Sequence, residues 1–547
     1  MPCLVIAMIK VKPEMRIIFY AAVGLFLIFL VLPLMVLLMK SLESGQGFTF
    51  STYLDALSNK DILTAIGNSF KVSAVTALIT TVLAFVMAYS INATRIHPTF
   101  KGVLKTGILL PMLLPTITYG FAIMYSFGNQ GLFSKLFGSP LFNMYGFNGL
   151  LIGYVIYTLP PAFLVIHNSF QYIDKKFIIV SKLMGDSTLR SFMNTIIRPL
   201  WGTLGGAFVL SFILSFTDFG IPASIGGTYT VVATLLYQVM LGAIPDFNQG
   251  AVIAVLMLLP AVLGISLLHY LEKLNFHYDK VTDTELMRNR WRDTLLGSLS
   301  FLILSGMVAT FAIMFIAPFL KQYPFNNTFT LEHIIDTFSS NDLTGVYKNS
   351  LYVSVLTAIL GTIVAYGAAL INGRTAVKGK SVMDGIAMVT NTVPGMVLGL
   401  SYLLLFNGTS FKGTFAILIF CNLIHFFTTP YLMAKHSLSK MNPGWETTGE
   451  LLGDSWFKTV RRVIIPNSAT TILEMAGYYF INSMVTISGI IFLITAETSL
   501  VSSEIQQLQH FAKFNEIFVL SLLIFGTNLI VKLLLGFWQK RASLHMF

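Results

Sequence analysis

Uncharged apolar runs of about twenty residues recur along the chain, which is the length a helix rising 1.5 Å per residue needs to cross roughly 30 Å of hydrocarbon. The first, Ile17 to Met39, follows Lys10, Lys12 and Arg16 and is closed by Lys40 with no small-x-small cleavage pattern. It predicts a retained membrane helix rather than a signal peptide. Further runs span Val72 to Ile91, Thr106 to Phe127, Gly149 to Phe170, Leu200 to Thr217 and Gly250 to Leu268. A mixed-charge stretch, 271–293, interrupts the pattern and reads as a linker. Beyond it lie Thr294 to Leu320, Ser350 to Asn372, Gly385 to Asn407, Gly413 to Ala434, Asn467 to Thr495 (with Glu474 inside it) and Ile517 to Val531. The expectation is an all-α polytopic membrane protein of about 12 helices, six in residues 1–270 and six in residues 294–547.

Composition agrees with a bilayer and excludes a string of water-soluble domains: 55% of the 547 residues are hydrophobic and 11% charged, against about 25% charged in ordinary globular domains. The net charge of +11 is a topology signal. With the N-terminus inside and the runs alternating, 27 of the 35 lysines and arginines, including every arginine, fall on one side. That asymmetry predicts cytoplasmic termini and leaves nucleic-acid binding without support. Cys3 and Cys421 are too far apart in sequence to suggest a zinc or redox motif.

The two halves repeat each other. Asn68 to Ala84 (NSFKVSAVTALITTVLA) matches Asn349 to Ala365 (NSLYVSVLTAILGTIVA) in Asn, Ser, Val, Ser, Thr and Ala. Small residues at helical spacing explain such a match by packing alone, but a second one favours duplication. GDSTLRSFMNTIIRP from Gly185 and GDSWFKTVRRVIIP from Gly453 occupy the same place in each half, and both loops are on the cytoplasmic side by the charge count. Glycine there suits a sharp turn after a short helix, with Asp454 or Ser455 capping the next. Trp456, Phe457, Val460, Val463 and Ile464 predict an amphipathic helix with Lys458, Arg461 and Arg462 on its polar side. A paired helix-turn-helix offers a rigid knob to a soluble partner, where a single one would also suit an interfacial helix.

These loops resemble the EAA loops of bacterial ABC importer permeases. The second copy, from Glu446 through Gly453 to Pro466, keeps the glycine-to-proline spacing, with Thr448 and Gly449 in place of the alanines. The first has Ile179, Val180 and Ser181 at the EAA positions and one extra residue between Phe192 and Pro199. Ser215 to Tyr237 and Ser488 to Ile505 are similar to segments of fused, two-half permeases of the ferric-iron and 2-aminoethylphosphonate importer group. The resemblance implies a permease of the bacterial inner membrane with no cofactor of its own. It also implies two cytoplasmic ATPase subunits, which would bind ATP and Mg, and an external solute-binding protein. Gly185, Asp186, Ser187, Phe192, Glu446, Gly453, Asp454, Ser455, Trp456 and Phe457 become the candidate coupling residues.

Other features weigh less. Gly373 to Ser381 (GRTAVKGKS) has one residue too many for a P-loop and joins two membrane runs. His167, His269 and His425 lack metal-ligand spacing. A proton- or sodium-coupled transporter, the rival class, usually places ionisable groups at mid-membrane; here the runs hold only Glu474 and, at an edge, Asp218. No nucleophile–base set supports a membrane enzyme. Asp218 precedes Phe219-Gly220-Ile221-Pro222, and nineteen residues on from the second loop's proline stands Val485. Asp218 has two readings: an oxygen ligand for a hard cation or an amine at the path's external mouth, or a helix-ending carboxylate that bonds backbone N–H groups.

Overall fold

The computed structural model describes residues 11–44, 47–140, 142–174, 176–273 and 289–544. Most of the linker, residues 274–288, lies outside them, as do Cys3 and Lys10. The helices used below are numbered in chain order. The first half has α1 (Pro13–Leu42), α2 (Lys60–Ala93), α3 (Thr116–Phe127), α4 (Phe147–Ser169), α5 (Lys176–Leu183), α6 (Thr188–Ile197), α7 (Trp201–Thr217), α8 (Gly220–Ile225), α9 (Val232–Leu241) and α10 (Phe247–Glu272). The second has α11 (Arg290–Ile316), α12 (Asn341–Arg374), α13 (Val382–Thr392), α14 (Gly395–Phe406), α15 (Phe415–His425) and α16 (Thr428–Ser439). It continues with α17 (Gly444–Leu451), α18 (Trp456–Thr459), α19 (Ala469–Val485), α20 (Val501–His510) and α21 (Phe514–Leu544). Two short antiparallel hairpins are the strands among the described residues.

Among the described residues seven helices are long and apolar enough to span a membrane, and three bent pairs bring the number to as many as ten. The differences from an even set of twelve trace to backbone chemistry. The run Thr106 to Phe127 is cut by Pro111 and Pro115 into a 3-10 turn at Leu110–Leu113 and the short α3. Each proline removes an N–H donor from the helical ladder. Pro394 does the same between α13 and α14, which meet at 102°. α15 and α16 bend by 53°, whereas α4 stays helical through Pro160 and Pro161. The run Asn467 to Thr495 leaves the helix at Thr486, and turns follow. There Gly489 lies so close to α14 that a Cβ on Gly399 would stand 2.4 Å from the Gly489 carbonyl oxygen. Ahead of Pro199 and Pro466 the ladder slips to π spacing at Met193–Ile197 and Val460–Ile464, and the Arg198 N–H reaches back five residues to Met193 O at 2.9 Å. Such π spacing occurs mostly as a single turn inside an α-helix.

The halves exchange their first helices. α1 packs on α12 and α14 of the second half: Tyr402 donates to Phe29 O at 2.6 Å, Phe29 stacks on Phe420 with centroids 4.3 Å apart, and Phe26 meets Phe427 edge-on at 4.5 Å. α11 in turn packs on α2 and α3, with Tyr119 against Phe311 at 5.1 Å and Ser126 Oγ donating to Thr310 O at 2.9 Å. The repeated Asn-Ser pair acquires a job in both halves. Asn68 Nδ2 donates to Thr230 O (3.0 Å) and Ser69 Oγ accepts from Val232 N (2.9 Å); Asn349 and Ser350 make the same bonds to Ser499 O (3.2 Å) and Val501 N (2.8 Å). Each long helix thereby holds the start of the short helix, α9 or α20, beside it.

Candidate functional site

The two matched loops fold alike. α5 and α17 each end in a left-handed glycine, Gly185 and Gly453, both at φ +78°. The next N–H reaches back five residues in the helix-closing pattern: Asp186 N to Ser181 O at 3.1 Å and Asp454 N to Gly449 O at 2.9 Å. A side chain would meet no atom at either glycine, so glycine is needed there for its backbone freedom alone. Ser187 and Ser455 cap the following helices, accepting from Arg190 N (3.4 Å) and Lys458 N (3.2 Å). Of the two caps considered for the second loop, Ser455 is used. Asp454 pairs instead with Lys458, as Asp186 does with Arg190 at 3.3 Å.

The candidate residues divide by direction. Phe457 is 59% exposed, but Trp456 is buried at 3% with Val460 and Ile464 on the inner face. Phe192 also turns inward, meeting Tyr89 edge-on at 5.6 Å and Phe85 at 6.2 Å. Glu446 is buried too, in an ion pair with Arg374. What the loops present outward are Phe457 and five apolar residues that the motif did not flag: Leu183 (82% exposed), Met184 (79%) and Leu189 (72%) in the first loop, and Leu451 (84%) and Leu452 (77%) beside Phe457 in the second. They match position for position around each glycine. Their signal was legible as Leu-Met-Gly-Asp-Ser and Leu-Leu-Gly-Asp-Ser, apolar pairs at helix ends that ordinarily carry polar residues. Paired, exposed apolar knobs on rigid turns are what a protein partner covers.

Asp218 is 8% exposed and its Oδ2 accepts from Ile221 N at 2.9 Å, at the start of α8. The Gly220 N–H and the Thr116 hydroxyl also reach this carboxylate. The helix ends pair Asp218 with Thr486, one residue beyond Val485, because both leave their helices in the same extended conformation. Glu474 is exposed to a cleft of about 570 Å³ with His436, Lys440, Trp445, Asn467 and Thr471 on its walls, which explains a carboxylate on α19. Among the described residues no three His, Cys, Asp or Glu side chains come together to hold a metal. His167 Nδ1 lies 2.8 Å from Asn92 Nδ2, and His269 Nδ1 lies 3.1 Å from Ile265 O.

The sequence profile of the family described as binding-protein-dependent transport system inner membrane component matches twice, over residues 80–274 and 359–543. The chain belongs to this family. It is an ABC importer permease with the family domain in each half. A putative ferric transport system permease protein of Haemophilus influenzae is 26% identical over 491 residues, covering 86% of this chain and 76% of the relative. A ferric transport system permease protein of Actinobacillus pleuropneumoniae is 24% identical, covering 87% and 71%. A spermidine/putrescine transport system permease homolog of Mycoplasma genitalium is 25% identical over 190 residues, covering 34% of this chain and 63% of its own length. Membership replaces the rival reading of an ion-coupled transporter: importers of this family are binding-protein-dependent and sit in the inner membrane.

Proposed function

We propose that this permease imports ferric iron, driven by two cytoplasmic ATPase subunits that each receive one of the matched loops, with an external binding protein delivering the cargo. The observation that carries the coupling part is the pair of apolar knobs: Leu183, Met184 and Leu189 stand around Gly185 as Leu451, Leu452 and Phe457 stand around Gly453. Burying a leucine-sized side chain contributes about 1.5–3 kcal/mol, so each knob suffices to seat a loop in a groove. The location of 27 of 35 basic residues on the loop-bearing side supports cytoplasmic loops and termini. ATP-driven closure of the two ATPases would draw the loops together and rock the halves between inward- and outward-facing states. Asp218 belongs to the path's wall in this reading, its carboxylate holding α8 against α7. Ferric iron rests on the two relatives that span most of the chain, both ferric transport permeases by name.

The test is reconstitution of the permease with its ATPase and binding protein in proteoliposomes. ATP-dependent uptake of radioactive ferric iron is expected, and Leu183→Ser with Leu451→Ser should release the ATPase. Retained ATPase in that double variant would remove the coupling assignment. Uptake of 2-aminoethylphosphonate without iron uptake would remove the cargo assignment.

A further inference from the structure

We infer that Arg374 and Glu446 are positioning residues that lock the second coupling loop to the membrane-crossing helix α12, through a buried ion pair that the matching positions of the first half, Ala93 and Ile178, cannot form. This rests on the coupling role proposed above. Arg374 is the last residue of α12, and its side chain and that of Glu446 are each 4% exposed. The Arg374 Nε donates to Glu446 Oε1 at 2.6 Å and Nη2 to Oε2 at 2.5 Å. Nη1 donates to Met441 O (3.0 Å) and Nη2 also to Asn442 O (2.9 Å). One planar guanidinium thus ties three pieces together: the end of α12, the turn before α17, and the first turn of α17. Such a fork has little freedom once four of its five donors are used.

At its other end α12 holds the segment 499–501 through Asn349 and Ser350. The 25 residues between Asn349 and Arg374 make a strut of about 38 Å. A displacement of the second loop is therefore delivered to the far face by a single helix fastened at both ends. The first half keeps the far fastening, Asn68 and Ser69, and both long helices have a lysine at their near end: Lys101 Nζ donates to Thr94 O and Lys380 Nζ to Thr375 O, each at 2.6 Å. The two positions of the ion pair differ in the repeat. α2 and α12 both run 34 residues, and where α12 ends in Arg374 α2 ends in Ala93; where α17 has Glu446 as its third residue α5 has Ile178. Neither can ionise. Glu446 is also the acidic residue that the EAA resemblance would offer to the ATPase, and its carboxylate faces inward instead.

The experiment compares Arg374→Gln, Glu446→Gln and the double variant in the full complex. The readouts are ATPase retention and ATP hydrolysis with and without iron-loaded binding protein. Each single variant is expected to keep the ATPase bound but to lose most of the binding-protein dependence of hydrolysis, and the double variant to be no worse than either, because both remove one pair. Removing one partner of a buried pair leaves an uncompensated charge, so Arg374→Met with Glu446→Leu, which keeps apolar packing without charge, serves if the single variants do not accumulate. Wild-type dependence in that variant, or in both singles, would overturn the lock. So would loss of ATPase binding in Glu446→Gln alone with Arg374→Gln normal, which would put Glu446 at the ATPase. The leucine-to-serine knob variants separate the two readings: if they retain the ATPase, the coupling assignment itself has failed, whatever the lock variants do.

Discussion

Replacing Gly453 isolates backbone conformation as the cause of loop function. Its φ of +78° is in the left-handed region, and a Cβ there would meet nothing within 4 Å. Alanine is therefore penalised only by its own backbone, by about 1–2 kcal/mol, and about 1.4 kcal/mol is a tenfold change in an equilibrium. The Gly453→Ala variant is expected to weaken ATPase binding by roughly fivefold to thirtyfold, with coupled uptake falling in step at limiting ATPase. Asparagine visits the same region more readily, so Gly453→Asn should retain most of the wild-type affinity. Gly449 supplies the contrast: its added Cβ would stand 2.4 Å from Thr459 Oγ1, so Gly449→Ala should act by prising α17 from α18. Gly185 has the same φ and the same open surroundings, and its alanine variant should bind the ATPase as poorly. Its effect on coupling should be smaller, because the first copy departs further from the EAA pattern, with Ile179, Val180 and Ser181 at its positions. The assay titrates ATPase onto the purified, reconstituted permease and measures uptake from the same vesicles. Equal defects in the alanine and asparagine variants of Gly453, or none in either, would refute the conformational argument.

Three further outcomes are expected. In a Cys3→Ser background with Cys421 buried, Asn327→Cys should react with an impermeant thiol reagent on intact cells and Lys378→Cys should not; the opposite pattern would invert the topology. Asp218→Asn keeps an acceptor for Ile221 N and should retain assembly and uptake within about threefold, whereas Asp218→Ala orphans buried donors at a cost of about 1–3 kcal/mol each and should reduce assembled complex; lost uptake in a fully assembled asparagine variant would give the charge a role in the path. Gly399→Ala places a methyl 2.4 Å from the Gly489 carbonyl and should abolish accumulation, while Gly306→Ala, in open space, should be neutral; equal accumulation measured by detergent-extracted yield would mean that α14 and the Gly489 segment are not in this contact.

The apolar runs and the distribution of lysine and arginine required no tertiary information, because a bilayer imposes length and apolarity on each segment independently of its neighbours. The two left-handed glycines were equally legible, since Gly-Asp-Ser after a short helix names its own turn. Which helix lies beside which was not: lipid is as apolar as leucine, so the hydrophobicity of α1 says only that it is in the membrane, and its place on α14 of the other half comes from side-chain fit around Phe29 and Tyr402. Direction within the loops was hidden for a related reason. Phe192 reads as an exposed motif residue until α2 presents Phe85 and Tyr89 to it, and Glu446 reads as a surface acid until Arg374, 72 residues away, arrives at the same buried spot. A local pattern fixes what a residue is able to do, but only the packed neighbours decide whether its carboxylate or ring faces a partner protein or is spent on its own chain.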